Sequence, residues 1–209
     1  NNNTSNTISS ANFMAGQTFD LYVQAVCDQD TSFFVGPFNV IMPLTNDTIC
    51  GAQAIPVDGN TYMFNNTGAT FDLVELSMVP PATGSQTTTG WANQNLEMTT
   101  WFKFVAPSTG NVRINCTGMD YSGQMAVYDM SACDVVSSVQ MMAANDDDLD
   151  GMNQAPNFTV CGMTPGVEYY MMHDGFDFTA GNYAISIYEI VLDAGVEGEE
   201  LEVCYGDTV

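Results

Sequence analysis

The sequence predicts an all-β protein built as an antiparallel β-sandwich, on three observations. Helical i, i+3, i+4 periodicity is nearly absent. Short alternating or wholly apolar runs recur along the chain instead. Clusters of Gly, Pro, Asn and Asp separate them, at the spacing of meanders or Greek keys.

In chain order the expected strands are 18–26, 38–42, 61–65, 100–106, 111–116, 124–129, 137–143, 157–161, 168–173 and 182–188. The first two belong to a leading block, 1–43, that closes at Pro43, where the sheet pattern stops. The third lies apart from the rest, before a polar stretch at 80–90, rich in Thr and small residues, that reads as a long surface loop. The run at 100–106 alternates and places Trp101 in the core; Pro107-Ser108-Thr109-Gly110 turns it into 111–116. Thr164-Pro165-Gly166 precedes the apolar run at 168–173, and Ala180-Gly181-Asn182 leads into the last strand. The main block is 46–192, and 193–209 reads as an acidic connector with the first strand of a following repeat.

Charge removes several functions. The chain has 209 residues and 25 Asp plus Glu against Lys103 and Arg113, a net charge of −23. Nucleic-acid binding needs Lys and Arg to neutralise phosphates, so it is excluded. Anionic membranes are excluded on the same ground, and no run of about 18 apolar residues is present to insert in a bilayer. With 45% hydrophobic residues the chain is too apolar for a disordered acidic tail. The polar first ten residues have no apolar signal core, which reads as a mature end or a cut inside a longer protein.

No catalytic residue is expected, and the chain reads as a non-enzyme. Most nucleophile–base pairs need a histidine, and His173, the sole one, lies where an apolar strand runs into a turn. A His/Cys zinc site lacks a second histidine, and no Cys-x-x-Cys occurs. Paired-carboxylate chemistry is neither supported nor excluded by so many acids. The 14 methionines read as adaptable packing.

Six separated cysteines point to disulfides and an oxidising, extracellular or cell-surface location. Six allow 15 pairings. Cys27 and Cys204 lie near the ends and could pair elsewhere, leaving Cys50, Cys116, Cys133 and Cys161 as candidates for two bridges in the main block.

The sharpest chemical feature is Asn145-Asp146-Asp147-Asp148-Leu149-Asp150-Gly151. Carboxylates at alternate positions before a glycine can wrap a hard cation, so Asp146, Asp148 and Asp150 are candidate calcium ligands. Asn157 stands where an EF-hand needs Glu, so the loop would sit on a β-scaffold. Trp91 is a candidate ligand-binding ring for a sugar, although anchoring a loop is the commoner role of such a Trp.

Two resemblances add to this. Gly16 to Cys27 (GQTFDLYVQAVC), Thr31-Ser32 and Gly36-Pro37-Phe38 resemble the C-terminal part of a fibronectin type III domain. In the main block, Asn46-Asp47-Thr48-Ile49-Cys50, Thr100-Trp101-Phe102-Lys103-Phe104, Ala126-Val127-Tyr128 with Cys133, Asn145-Asp146-Asp147, Cys161 to Gly166 with Tyr169-Tyr170, Asp174-Gly175 and Gly181-Asn182-Tyr183 follow one another in order. That series resembles the pre-peptidase C-terminal (PPC) type of jelly-roll-like sandwich, in the cysteine-bearing form of proteins exported by type 9 secretion. The chain departs from the pattern at Gln53, where an Ala is usual, and at Ser122, where relatives often carry Asp.

The resemblance implies a non-catalytic adhesion or spacer module of a large surface protein or fibre, stiffened by calcium and disulfides. It also implies a calcium site in which Asp47 meets Asp146 and Asp147 across the sandwich end. Expected partners are flanking domains of the same chain, further copies in an oligomer or filament, and a polysaccharide or cell-surface ligand. Two alternatives are a carbohydrate- or matrix-binding module and an accessory domain of a secreted hydrolase.

Overall fold

The computed structural model describes residues 16–27, 30–147 and 154–191. Asp148, Asp150, Cys204 and the connector 193–209 lie outside the described residues. The strands are β1 (Thr18–Val23), β2 (Val26–Cys27), β3 (Asp30–Thr31), β4 (Val35–Ile41), β5 (Gln53–Ala54), β6 (Tyr62–Asn65), β7 (Thr100–Val105), β8 (Val112–Thr117), β9 (Gly123–Asp129), β10 (Gln140–Asn145), β11 (Asn157–Val160), β12 (Glu168–Gly175) and β13 (Asn182–Glu189). Each expected run contains a strand. The run at 137–143 starts late, because Val136–Ser138 forms a 3-10 turn first.

Two sheets form the sandwich, one in the order β10-β9-β12-β7-β5 and the other β11-β8-β13-β6. All pairings are antiparallel except that of the short edge strand β5 with β7. Alternate residues of the facing strands meet between the sheets. Phe102 and Phe104 of β7, Met125 and Val127 of β9 and Met171 of β12 pack on Ile114, Phe158 and Ile185 of the second sheet. Each such side chain removed from water contributes roughly 1.5–3 kcal/mol before ordering entropy is set against it.

The five-stranded sheet is also buried on its outer face. The other alternate positions, Trp101, Ala126, Tyr128, Tyr170 and Met172, form a second apolar cluster with Met78, Trp91 and Leu96. Those last three come from the segment 66–99, which folds back over the sheet as a cover. The polar stretch 80–90 is therefore docked. Ala144 N–H donates to Thr88 O, Asp147 N–H to Ser85 O, and Asn145 Nδ2 to Thr87 O, so the stretch lies along the open edge of β10. Covering an edge in this way removes a template for unwanted strand pairing. Gly90 permits the close fold of this stretch, since a Cβ there would collide with Pro81 O.

A disulfide between Cys50 and Cys133 joins the chain ahead of β5 to the loop after β9. The expected second bridge among the inner four cysteines does not form. Cys116 is a free, buried thiol on β8, pointing into the inter-sheet core. Cys161 is disulfide-bonded, and not to another of the inner four, because Cys50 and Cys133 hold each other.

Ahead of the sandwich, β1 and β4 pair as a two-stranded ribbon with an irregularity between Leu21 and Val23. Its apolar side chains are largely uncovered: Tyr22, Val23, Phe34, Val35 and Phe38 are exposed, and Phe33 is 94% accessible.

Candidate functional site

The chemistry-bearing side chains collect at one end of the five-stranded sheet, under and beside the cover. β12 ends in His173 and Asp174, which point to opposite faces because successive strand residues alternate. His173 faces the inter-sheet core, where its ring stacks on Tyr183 at 3.9 Å. Asp174 faces the cover.

Three buried carboxylates fasten that cover. Asp174 Oδ1 accepts the backbone N–H groups of Glu97 at 3.1 Å and Met98 at 2.7 Å. Asp146, at the end of β10, accepts from Ala92 N at 2.9 Å and from Gln124 Nε2 at 3.2 Å. Glu75, in the 3-10 turn Leu73–Ser77 of the cover, reaches down to the sheet and accepts from Trp101 Nε1 and the Thr99 hydroxyl, both at 2.8 Å. A backbone N–H buried by the cover needs a partner, and carboxylates supply strong ones. Four oxygen or nitrogen atoms remain buried with no hydrogen-bond partner among the described atoms: Glu97 Oε2, Asp174 Oδ2, Gln124 Oε1 and His173 Nε2.

Burial dominates the electrostatics. It pushes the Glu75 carboxyl from 4.5 up to about 7 and the Asp146 carboxyl from 3.8 up to about 6, with Asp147 adding repulsion at Asp146. Burial, then the charge of Glu97, holds Asp174 well above the usual carboxylate range, and burial raises Glu97 as well. A carboxyl whose pKa is higher folded than unfolded binds more protons in the folded state, so its contribution is complete below the unfolded pKa and lost as pH rises through the folded one. Stability should therefore decline between about pH 4 and about pH 7, the interval bounded by the Asp146 and Glu75 values. Glu75→Gln keeps an acceptor for Trp101 Nε1 and should flatten that slope in urea titrations at a series of pH values. A slope left unchanged by Glu75→Gln would contradict the assignment.

The residues expected from sequence to form a site are dispersed. Trp91 is fully buried, and its indole N–H donates to Met125 O at 2.9 Å. It anchors the cover and presents no face to a sugar, because the sheet's outer face is apolar and draws the ring inward. Asp47 spends both carboxylate oxygens on Thr70, accepting from its N–H at 2.7 Å and its hydroxyl at 2.8 Å. It does not gather with Asp146 and Asp147. Among the described residues no three His, Cys, Asp or Glu side chains are grouped to hold a metal. Asp146 and Asp147 stand together where β10 ends, with the orphaned Gln124 Oε1 belonging to a residue bonded to Asp146.

Glu75, Glu97 and Asp174 did not emerge from sequence reasoning. Glu97 lies in polar surroundings with no pattern to mark it, and Glu75 stands inside a short apolar run, Leu73 to Val79, that shows no clear strand or helix period. Asp174 carried one readable signal, an acid directly continuing an apolar strand.

No family model matches the chain, and no curated protein matches it. Similar solved structures include the pre-peptidase C-terminal domain of collagenase from Bacillus anthracis, with 15% identity, a TM-score of 0.36 and coverage of 65% of this chain and 93% of that one. Another is PliG of Aeromonas hydrophila, a periplasmic inhibitor of g-type lysozyme, at 13% identity, a TM-score of 0.34 and coverage of 65% and 96%. A third is CorA, a surface-associated copper-binding protein of Methylomicrobium album BG8, at 9% identity, a TM-score of 0.36 and coverage of 66% and 98%. Similarity at this level transfers no function to the chain.

Proposed function

We propose that this chain is a non-catalytic extracellular module of a larger multidomain surface protein, a sandwich that works by holding its neighbours in place. The observation that carries this reading is the exposed ribbon β1–β4 joined to a sandwich that is already complete. A two-stranded ribbon is marginal alone, and its uncovered Phe33, Phe34 and Phe38 need a second layer. On this reading 1–43 is the end of a fibronectin type III-like domain whose remaining strands supply that layer, 46–192 is a PPC-like unit, and 193–209 leads to a further repeat. The net charge of −23 keeps such arms apart and soluble.

Calcium is part of the proposal, held by the loop that begins at Asp146 and Asp147 and continues through Asp148 and Asp150. Four acids within five residues repel one another, and Asp146 is additionally desolvated. A hard cation would supply oxygen-bound positive charge that the chain's own two basic residues cannot. Asp47 is left out of this ligand set, since Thr70 occupies it.

The experiment is thermal melting with millimolar calcium and with chelator. Calcium should raise the midpoint, by an amount that grows with its free concentration, and Asp146→Ala with Asp148→Ala should abolish the difference. Identical melting of the parent chain in the two conditions would retire calcium.

A further inference from the structure

Cys161 is disulfide-bonded, Cys50 and Cys133 hold each other, and Cys116 is a free thiol buried in the inter-sheet core. Of the six cysteines in the chain only Cys27 and Cys204 are left as partners for Cys161, and they lie toward opposite termini. The place of Cys161 in the fold separates the two.

Cys161 directly follows β11, at one rim of the four-stranded sheet. Val160 stands opposite Val112, the first residue of β8, and Val112 stands opposite Glu189, the last residue of β13. Two strand spacings, about 10 Å, therefore separate the end of β11 from the end of β13. Asn111 bridges that interval: its side-chain oxygen accepts the Gly162 N–H at 3.1 Å, and its backbone oxygen accepts the Ile190 N–H at 3.0 Å. The chain thus leaves its final strand beside Cys161, which is itself half-buried and within reach of solvent. About a dozen residues lie between Val191 and Cys204, each able to span about 3.3 Å, several times the length needed to return to that rim.

The ribbon that carries Cys27 meets the sandwich at the other rim. Ile41, paired with Thr18 at the base of the ribbon, packs on Gly68, where a Cβ would come within 2.5 Å of its side chain. Asn66, two residues earlier, donates its N–H to Gly181 O, directly before β13 begins. The eight residues of β13, at about 3.3 Å each, put this rim roughly 23 Å from the one beside Cys161. The far end of the ribbon is not docked across that gap, since Ala25, Val26, Asp30 and Phe33 are all exposed.

We propose that Cys161 and Cys204 form a second disulfide, which ties the acidic connector back to the rim where the chain leaves the sandwich. Two thiols lose two protons and two electrons as the S–S bond forms, and the electrons pass to a disulfide oxidant that is reduced to its dithiol. The bond works against the field of the molecule. Seven acids lie among Glu189 to Val209 in a chain with only two basic residues, and like charge drives an untethered acidic connector outward. With the bond in place, sequence beyond Cys204 starts from a fixed point beside Asn111. The bond stands whether or not a further domain follows, so it is independent of the modular reading above.

The test is peptide mapping of the whole oxidised chain, purified as a monomer and cleaved after Asp and Glu under acid, non-reducing conditions. That cleavage places Cys27, Cys161 and Cys204 in separate peptides. Residues 151–168 should be recovered joined to 203–207, and the pair should separate on reduction. A single cut within 193–203 should likewise leave both fragments together on a denaturing, non-reducing gel, and Cys204→Ser should release them. Recovery of 151–168 joined to any other peptide, that of Cys27 included, or carrying a free thiol, would overturn the proposal.

Discussion

Trp91→Ala should destabilise the protein by about 3–5 kcal/mol, the usual cost of deleting a fully buried aromatic side chain. Equilibrium urea unfolding followed by tryptophan fluorescence, with Trp101 remaining as reporter, measures it. The size follows from position. Trp91 has no exposed surface, contacts the cluster that includes Trp101, Tyr128 and Met172, and closes its polar atom on Met125 O. Removing it leaves a cavity under the cover and takes one hydrogen bond from Met125 O. A ligand-reading surface Trp in a flexible loop would behave differently, losing affinity for a sugar with stability within about 0.5 kcal/mol of the parent.

Loss of the Cys50–Cys133 bridge should cost a comparable amount. The cysteines are 83 residues apart in sequence, and constraining a loop of that size in the unfolded chain is worth about 4–5 kcal/mol on the chain-entropy treatment. The double substitution Cys50→Ala with Cys133→Ala, measured by the same urea titration, should show that loss. Because the bridge encloses the whole cover and strands β5 to β9, its removal should also broaden the unfolded ensemble. An effect under about 1 kcal/mol would mean that the bridge adds little beyond the packing around it.

The strands were legible because they follow the local rules of a pleated ribbon. Phe102 and Phe104 alternate with Lys103, and Pro107 to Gly110 and Thr164 to Gly166 carry the residues that tight turns demand. Every expected run therefore contains a strand, and the all-β sandwich follows from their spacing. What sequence did not convey was that one sheet is covered over most of its outer face, with Lys103, Val105 and Glu168 left accessible at one end. Tyr170, Met172, Ala126 and Tyr128 fill the positions that a half-exposed sheet would give to polar residues. The segment that covers them is largely polar in composition and makes its apolar contact through Met78, Val79, Trp91 and Leu96, too few to give a periodic signal.

The candidate site was less legible for a related reason. The acidic run at Asp146 is visible because its charges are contiguous, but the acids that fasten the cover are brought together across 77 residues, as with Glu97 and Asp174. The disulfide pairing was equally a matter of folding. Nothing in the spacing of Cys116 sets it apart from Cys133, yet it lies at an inward-facing position of β8, while Cys133 sits in a loop beside Cys50.

The central claim is that 66–99 is an integral layer of the fold, held on the outer face of the five-stranded sheet by buried carboxylates. Native-state amide hydrogen exchange of Ala92, Glu97 and Met98 tests it most directly. These amides are bonded to Asp146 and Asp174, so they should exchange as slowly as those of β7 and β12 and open only when the sheet does. Exchange of all three at the rate of an unstructured peptide, while β7 and β12 stay protected, would show the sheet's outer face to be uncovered.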